Sequence, residues 1–206
     1  MKKQTAMVLV LAAICLAAPA WAQYGGATGP ASENSTDPSG DHRDSGPRSL
    51  PPDPEGKAED LRLNGKCDQA IPIFRALASY GAGFEIAHYN LGLCLLEISK
   101  SEPDAGRAAG LKQAAAVSIL KAANAGLPKP QALLVTMYLD GVGVAPDPVA
   151  AGTWALIYHE NGARLALGLA NIPPDLQARL DSALTQTSWA QAQARADAWT
   201  PIAAKN

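Results

Sequence analysis

Ser118-Ile119-Leu120-Lys121 spells S-x-x-K, a spacing at which a lysine can activate a serine hydroxyl for nucleophilic attack. Neither K-T-G nor S-D-N accompanies it, so the partner motifs of that chemistry are missing from the sequence. His88-Tyr89-Asn90 brings an imidazole, a phenol and an amide together, enough to line a polar groove or to satisfy an inter-helix contact. Glu59, Asp60, Glu85, Glu97 and Glu160 are single acids spread along the chain, and none is paired by spacing for acid–base work on a glycan. H-E-x-x-H, G-x-S-x-G, Walker A and C-x-x-C are all absent, and no cofactor or metal is expected. What chemistry the chain offers therefore depends on the elements that hold these residues.

Those elements begin after an N-terminal stretch of a different kind. Lys2 and Lys3 precede an apolar run, Ala6 to Ala18, which Pro19 ends. Ala20-Trp21-Ala22 then supplies an A-x-A cleavage site, so residues 1–22 are expected to be a secretory signal peptide. Cys15 could mark a lipoprotein, but Ile14 is too large for the position before a lipidated cysteine. Residues 23–56 form the expected linker, rich in Gly, Pro, Ser, Asp, Thr and Asn up to about Glu55, with too little apolar surface to offset the entropy of ordering. The formal net charge of -2 and the lack of a Lys/Arg-rich run argue against nucleic acid as a partner. No second membrane segment follows, so no stable membrane insertion is expected and the mature protein should be periplasmic or secreted.

From Lys57 onward the chain reads as short Ala- and Leu-rich helices broken by Gly and Pro, with no alternating β-branched runs. The expected helices are Ala58 to Asn64, Asp68 to Ser79, Phe84 to Ile98, Ala108 to Ala125, Pro128 to Leu139 and Ala150 to Glu160. Ser99 to Gly106 reads as a polar loop, Asp147 as an N-cap, and Gly162 as a helix stop. Pro72 reads as lying near a helix start.

Without the signal peptide, Cys67 and Cys94 remain, an even pair that in an exported protein suggests a disulfide. The two are equidistant from the Tyr80/Gly81 bond, so they should face each other across a helix hairpin. Such a bridge would contribute about 3 kcal/mol. The alternatives are two buried thiols or a metal site, although only His88 lies between them as a further ligand.

Laying Gly162 over Gly126, and Gly126 over Gly81, brings Ala151, Ala115 and Ala70 into one frame. Three second helices thus share a spacing, with Trp154 over Ser118. Together with the Gly141-Val142-Gly143-Val144 turn and Asp147, this pattern resembles the Sel1-like repeat family, a relative of the tetratricopeptide repeats. The resemblance is strongest over Gly126 to Gly162. It implies an all-α fold: a short right-handed α-solenoid of about three helix-hairpin repeats over residues 57–162. Residues 163–206 depart from the pattern and should form a helical cap, with Trp189 and Trp199 packing on the preceding layer.

The resemblance also implies a protein or peptide partner on the concave surface formed by the first helix of each pair. The candidate residues there are His88, Tyr89, Asn90, Met137, Tyr138 and Tyr158. An adaptor or regulator without catalytic activity is the function this predicts. The alternative is a cell-wall enzyme or peptidoglycan-binding protein, since cysteine-rich relatives of the family are linked to penicillin binding and Ser118 begins an S-x-x-K run.

Overall fold

Pro54, Pro128, Pro148 and Pro174 each open a helix, where a fixed φ helps and the missing N–H costs nothing. Asp53, Asp104 and Asp147 cap three helices by accepting from Gly56, Arg107 and Ala150 N–H at 2.9, 2.7 and 3.0 Å. The computed structural model describes residues 53–202. The expected signal peptide and all but the last few residues of the expected linker lie outside them, as does Cys15.

The described residues form α1 (Pro54–Leu63), α2 (Cys67–Ala78), α3 (Glu85–Ser101), α4 (Ala105–Asn124), α5 (Pro128–Asp140) and α6 (Pro148–Glu160). These are followed by α7 (Gly162–Ala166), α8 (Pro174–Ala183) and α9 (Gln186–Asp197). All regular structure among the described residues is helical. Consecutive helices pack as the pairs α1/α2, α3/α4 and α5/α6, each pair resting on the next, and α9 lies against α6. This is a solenoid of three helix pairs closed by a helical cap.

The shared alanine frame is the spine of the stack. Ala70, Ala115 and Ala151 on α2, α4 and α6 are all completely buried. Two glycines bring neighbouring helices closer than any side chain would allow. A Cβ on Gly92 of α3 would lie 2.5 Å from the Ile119 side chain and 3.1 Å from the Ala115 carbonyl on α4. A Cβ on Gly152 of α6 would lie 2.9 Å from Leu184 and 3.3 Å from Ala192 of α9. Between α5 and α6, Gly143 adopts φ +70 and passes so near α4 that a Cβ would meet the Lys112 carbonyl at 2.1 Å.

Several local expectations are corrected. The chain is helical from Pro54, ahead of Ala58, because Asp53 supplies a cap and Pro54 a first turn. The Ser99 to Gly106 loop shrinks to the three residues 102–104. The extra length of the middle pair lengthens both of its helices instead, since Asp104 caps α4 and Lys100–Glu97 supports the end of α3. Pro72 lies inside α2, not at its start.

Gly162 does not stop a helix. Gly126 does, at φ 95, with Leu127 N–H reaching back to Ala122 O. Gly162 is instead the first residue of α7, because Asn161 takes over the junction. The cap thus begins with the short helix Gly162–Ala166, and Gly168 closes it at φ 64.

The cap is held by aromatic and polar contacts. Trp199 stacks edge-on against Trp154 with centroids 6.1 Å apart. Its indole N–H donates to Asn124 Oδ1 at 3.4 Å, and Ile202 N–H donates to Asn124 O at 2.8 Å. Trp189 packs beside Gly152. Thr153 Oγ1 donates to the carbonyl of Val149 and approaches that of Ala192 on α9.

Candidate functional site

A groove of about 520 Å³ opens where the first helices α1, α3 and α5 come together. Ile86, Tyr89, Asn90 and Leu93 fall on one stripe of α3 at helical spacing and face it. Glu55, Gly56, Glu59 and Arg62 of α1 and Lys129 at the start of α5 form the rest of its wall. Arg62 and Glu59 are three residues apart on α1 and close a two-pronged pair, with Nε and Nη2 at 2.9 and 2.5 Å from the two carboxylate oxygens. The Arg62 hydrogen bond holds the Glu59 carboxyl below the ordinary carboxylate range. Burial pushes the Tyr89 phenol up, and the Arg62 charge opposes this.

The six sequence-derived surface residues separate in space. Tyr89 and Asn90 line the groove. His88 is half-buried on the adjacent stripe, and burial, followed by the Lys121 charge on α4, lowers its pKa. Met137 is 1% exposed and Tyr158 6%, so both are core residues and not surface residues. Tyr138 is half-buried against the core, and burial, then Asp147, pushes its phenol up.

The reason is positional. Met137 and Tyr138 sit in the last turns of α5, where the chain folds back toward α6. Tyr158 lies on α6, which has α5 on one side and α9 on the other. The Tyr158 hydroxyl donates to Ala170 O at 2.6 Å, and the Arg164 guanidinium lies 5.5 Å from its ring centroid. That arrangement secures the cap.

The remaining chemistry is also placed. Cys67 and Cys94 form a disulfide, joining the first residue of α2 to α3 with Cα atoms 5.1 Å apart. Ser118 is buried in α4 while Lys121 is exposed, and no hydrogen bond joins them. Among the described residues no group of three His, Cys, Asp or Glu is placed to hold a metal ion. Nor is any helix among them long and apolar enough to cross a membrane. A second depression, lined by Leu139, Ala178, Arg179, Ser182 and Ala183, lies between α5 and α8 beside an Arg179–Asp140 pair.

Comparison with known proteins gives one informative match. No protein-family model matches the chain, and no curated protein does. Among solved structures, it is similar to the crystal structure of a protective antigen present in uropathogenic Escherichia coli strains, which displays an SLR fold. The identity is 25% and the TM-score 0.53, over 70% of this chain and 29% of the other. The fold is that of a Sel1-like repeat solenoid. This chain therefore spans under a third of the length of that protein.

In the Sel1-like stack, sequence reasoning missed two constellations. The Glu59–Arg62 pair was legible as an acid and a base at i,i+3 spacing on a helix. The second centres on Gln131 of α5, which is completely buried. Its Nε2 donates to Ala123 O at 3.1 Å, and its Oε1 accepts from Asn161 Nδ2 at 2.7 Å. Asn161 Nδ2 also donates to Gly126 O at 2.8 Å, while its Oδ1 accepts from Ala163 N–H and Arg164 N–H at 2.8 and 3.2 Å. One asparagine thus caps α7 and ties it to the α4–α5 turn. An Asn ahead of a Gly hints at a cap, but its long-range partners leave no local trace.

Proposed function

We propose that this chain is an exported, non-catalytic interaction module of the bacterial envelope that holds a protein or peptide segment in the groove between α1, α3 and α5. One observation carries the reading: the groove is walled by the first helices of three successive pairs, so stacking the repeats creates it. Sel1-like repeats supply a surface and no reacting group, which fits an adaptor or regulator. The buried Ser118 supports the absence of acyl-transfer chemistry, and the near-neutral charge gives no footing for nucleic acid.

Export is supported by the Lys2-Lys3, apolar run and Ala20-Trp21-Ala22 pattern, and by the Cys67–Cys94 bridge, a bond that persists in oxidising compartments. The location proposed is periplasmic or secreted, with no stable membrane insertion.

The test is photo-crosslinking in cells from Leu93 in the groove, with exposed Val117 on α4 as the control position. A specific protein captured from Leu93 and not from Val117 is the expected result. Equal capture from both, or none from Leu93, would remove the groove as the interaction site. Recovery of uncleaved protein from the cytoplasm alone would remove the envelope location.

A further inference from the structure

The start of the cap leaves an apolar surface that no described residue covers. Residues 161–174 hold a single charged side chain, Arg164. That guanidinium is withdrawn from the surface. Arg164 is 6% exposed, and its two terminal nitrogens donate to Leu169 O and His159 O at 2.9 and 2.8 Å. Leu165 and Leu167 stand outside, 62% and 66% exposed. Gly162, Ala163, Ala166, Gly168 and Ala170 around them are exposed as well, so the outer face of this turn is apolar and uncharged. A single exposed leucine, such as Leu63 on α1, is ordinary. Two of them two residues apart in an uncharged stretch call for a partner.

The polar groups of the same turn are bonded within the protein. Ala163 and Arg164 N–H donate to Asn161 Oδ1, and Leu165 N–H donates to Asn161 O. Leu167, Gly168 and Leu169 N–H donate to the carbonyls of Ala163, Leu165 and Arg164. Leu169 O accepts from Arg164, Ala170 O accepts from the Tyr158 hydroxyl at 2.6 Å, and Asn171 Oδ1 meets His159 Nδ1 at 3.0 Å. In water this closure is optional, because solvent serves exposed groups as well. At the edge of a hydrocarbon layer it matters, because an unmet N–H or C=O is costly there. A second copy of the chain fits the turn poorly, since a stable dimer interface takes about 20 residues a side. A lipid surface needs no matching shape and accepts a small apolar point. Glu160 and Asp175 flank the turn, and it exposes no Lys or Arg, so anionic headgroups gain nothing from it. We propose that residues 162–170 rest on the neutral surface of a lipid bilayer, with Leu165 and Leu167 dipping into the boundary between headgroups and acyl chains. The contact is weak and reversible and involves no crossing of the bilayer.

The experiment takes the chain from Gln23 onward with its disulfide intact, so that the apolar run Ala6 to Ala18 adds no binding of its own. It is mixed with vesicles of phosphatidylcholine and phosphatidylethanolamine, and the fraction that floats with them is measured. The wild type should float equally at low and high salt, with no gain when phosphatidylglycerol is added. The double variant Leu165→Asp, Leu167→Asp should bind about tenfold more weakly or worse, while Leu63→Asp binds as the wild type does. All four positions of substitution tested are exposed, and each variant is confirmed as folded by its helical circular dichroism. A Leu167→Trp variant should gain fluorescence quenching by brominated acyl chains over that of the wild type.

No flotation of the wild type, or an equal loss from Leu63→Asp, would overturn the inference. Binding that requires phosphatidylglycerol and collapses in salt would overturn the neutral-surface assignment. A wild-type dimer that the double aspartate variant abolishes would also overturn it, because a second copy would then cover the leucines. None of these outcomes bears on the groove between α1, α3 and α5, which the crosslinking experiment tests separately.

Discussion

Two buried amides sit on successive first helices of the solenoid and behave in opposite ways. Gln131 on α5 has both ends of its carboxamide engaged, by Ala123 O and by Asn161 Nδ2. Asn90 on α3 is almost as buried but has no partner among the described residues and faces a groove. The first amide acts as a fastener between repeats. The second has a carboxamide that is open to the groove and bonded to none of the described residues. Burial alone does not tell these roles apart; the hydrogen-bond inventory does. The regions around them differ in the same sense. The α3 end is held covalently by Cys67–Cys94, while the α4–α5–α7 junction is held by hydrogen bonds.

The largest expected effect tests that difference. Replacing both Cys67 and Cys94 with serine should cost about 3 kcal/mol, measured by urea unfolding. Reductant should lower the wild-type Tm and leave that of the double serine variant unchanged. Equal Tm for wild type with and without reductant would mean that the α3 end is not held covalently.

Next in size is Gln131→Leu. It strands the Ala123 carbonyl and one Asn161 hydrogen bond inside the protein, so it should destabilise by about 2 kcal/mol. A double-mutant cycle with Asn161→Ala should show coupling, because the two residues share a bond.

Asn90→Leu is predicted to move the other way. With no bond to a described residue to lose, it should be neutral or stabilising by up to about 1 kcal/mol in the free protein. A loss as large as that of Gln131→Leu would show that the two amides have the same structural role, and would dissolve the comparison.

The smallest effect is a pH dependence from His88 on α3 and Glu59 on α1. Burial lowers the His88 pKa, so as pH falls the unfolded chain takes up the proton first. Stability should therefore decline as pH falls below the ordinary histidine range. Glu59, also held low when folded, contributes stability above the ordinary carboxylate range that is lost as pH falls through it. Both groups are only partly buried, so each effect should stay below about 0.5 kcal/mol. His88→Gln should flatten the upper part of the profile and leave the carboxylate part unchanged.

Much of the fold could be read in the residues. The alanine frame located α2, α4 and α6, and Asp147 was readable as a cap because capping is local. The reading failed at Gly162, where Asn161 provides a cap whose other partners lie on α4 and α5. It failed again at Ser99 to Gly106, where two helices absorb residues that looked like a loop. Of the residues named from the sequence, Tyr89 and Asn90 line the groove, while Met137 and Tyr158 were placed on a surface although they are core residues. Nothing within a single amphipathic helix says which neighbour will cover which stripe.

The sequence by itself determined the helical class, the repeat spacing and the Asp147 cap. All of these depend on residues within a turn or two of one another. Tertiary structure alone decided that Gly92 and Gly152 are contact points, that Ser118 is enclosed, and that Gln131 is bonded within the described residues while Asn90 is not. Those outcomes depend on how separate helices meet, and a hydrogen bond across thirty residues is set by that meeting and not by local spacing.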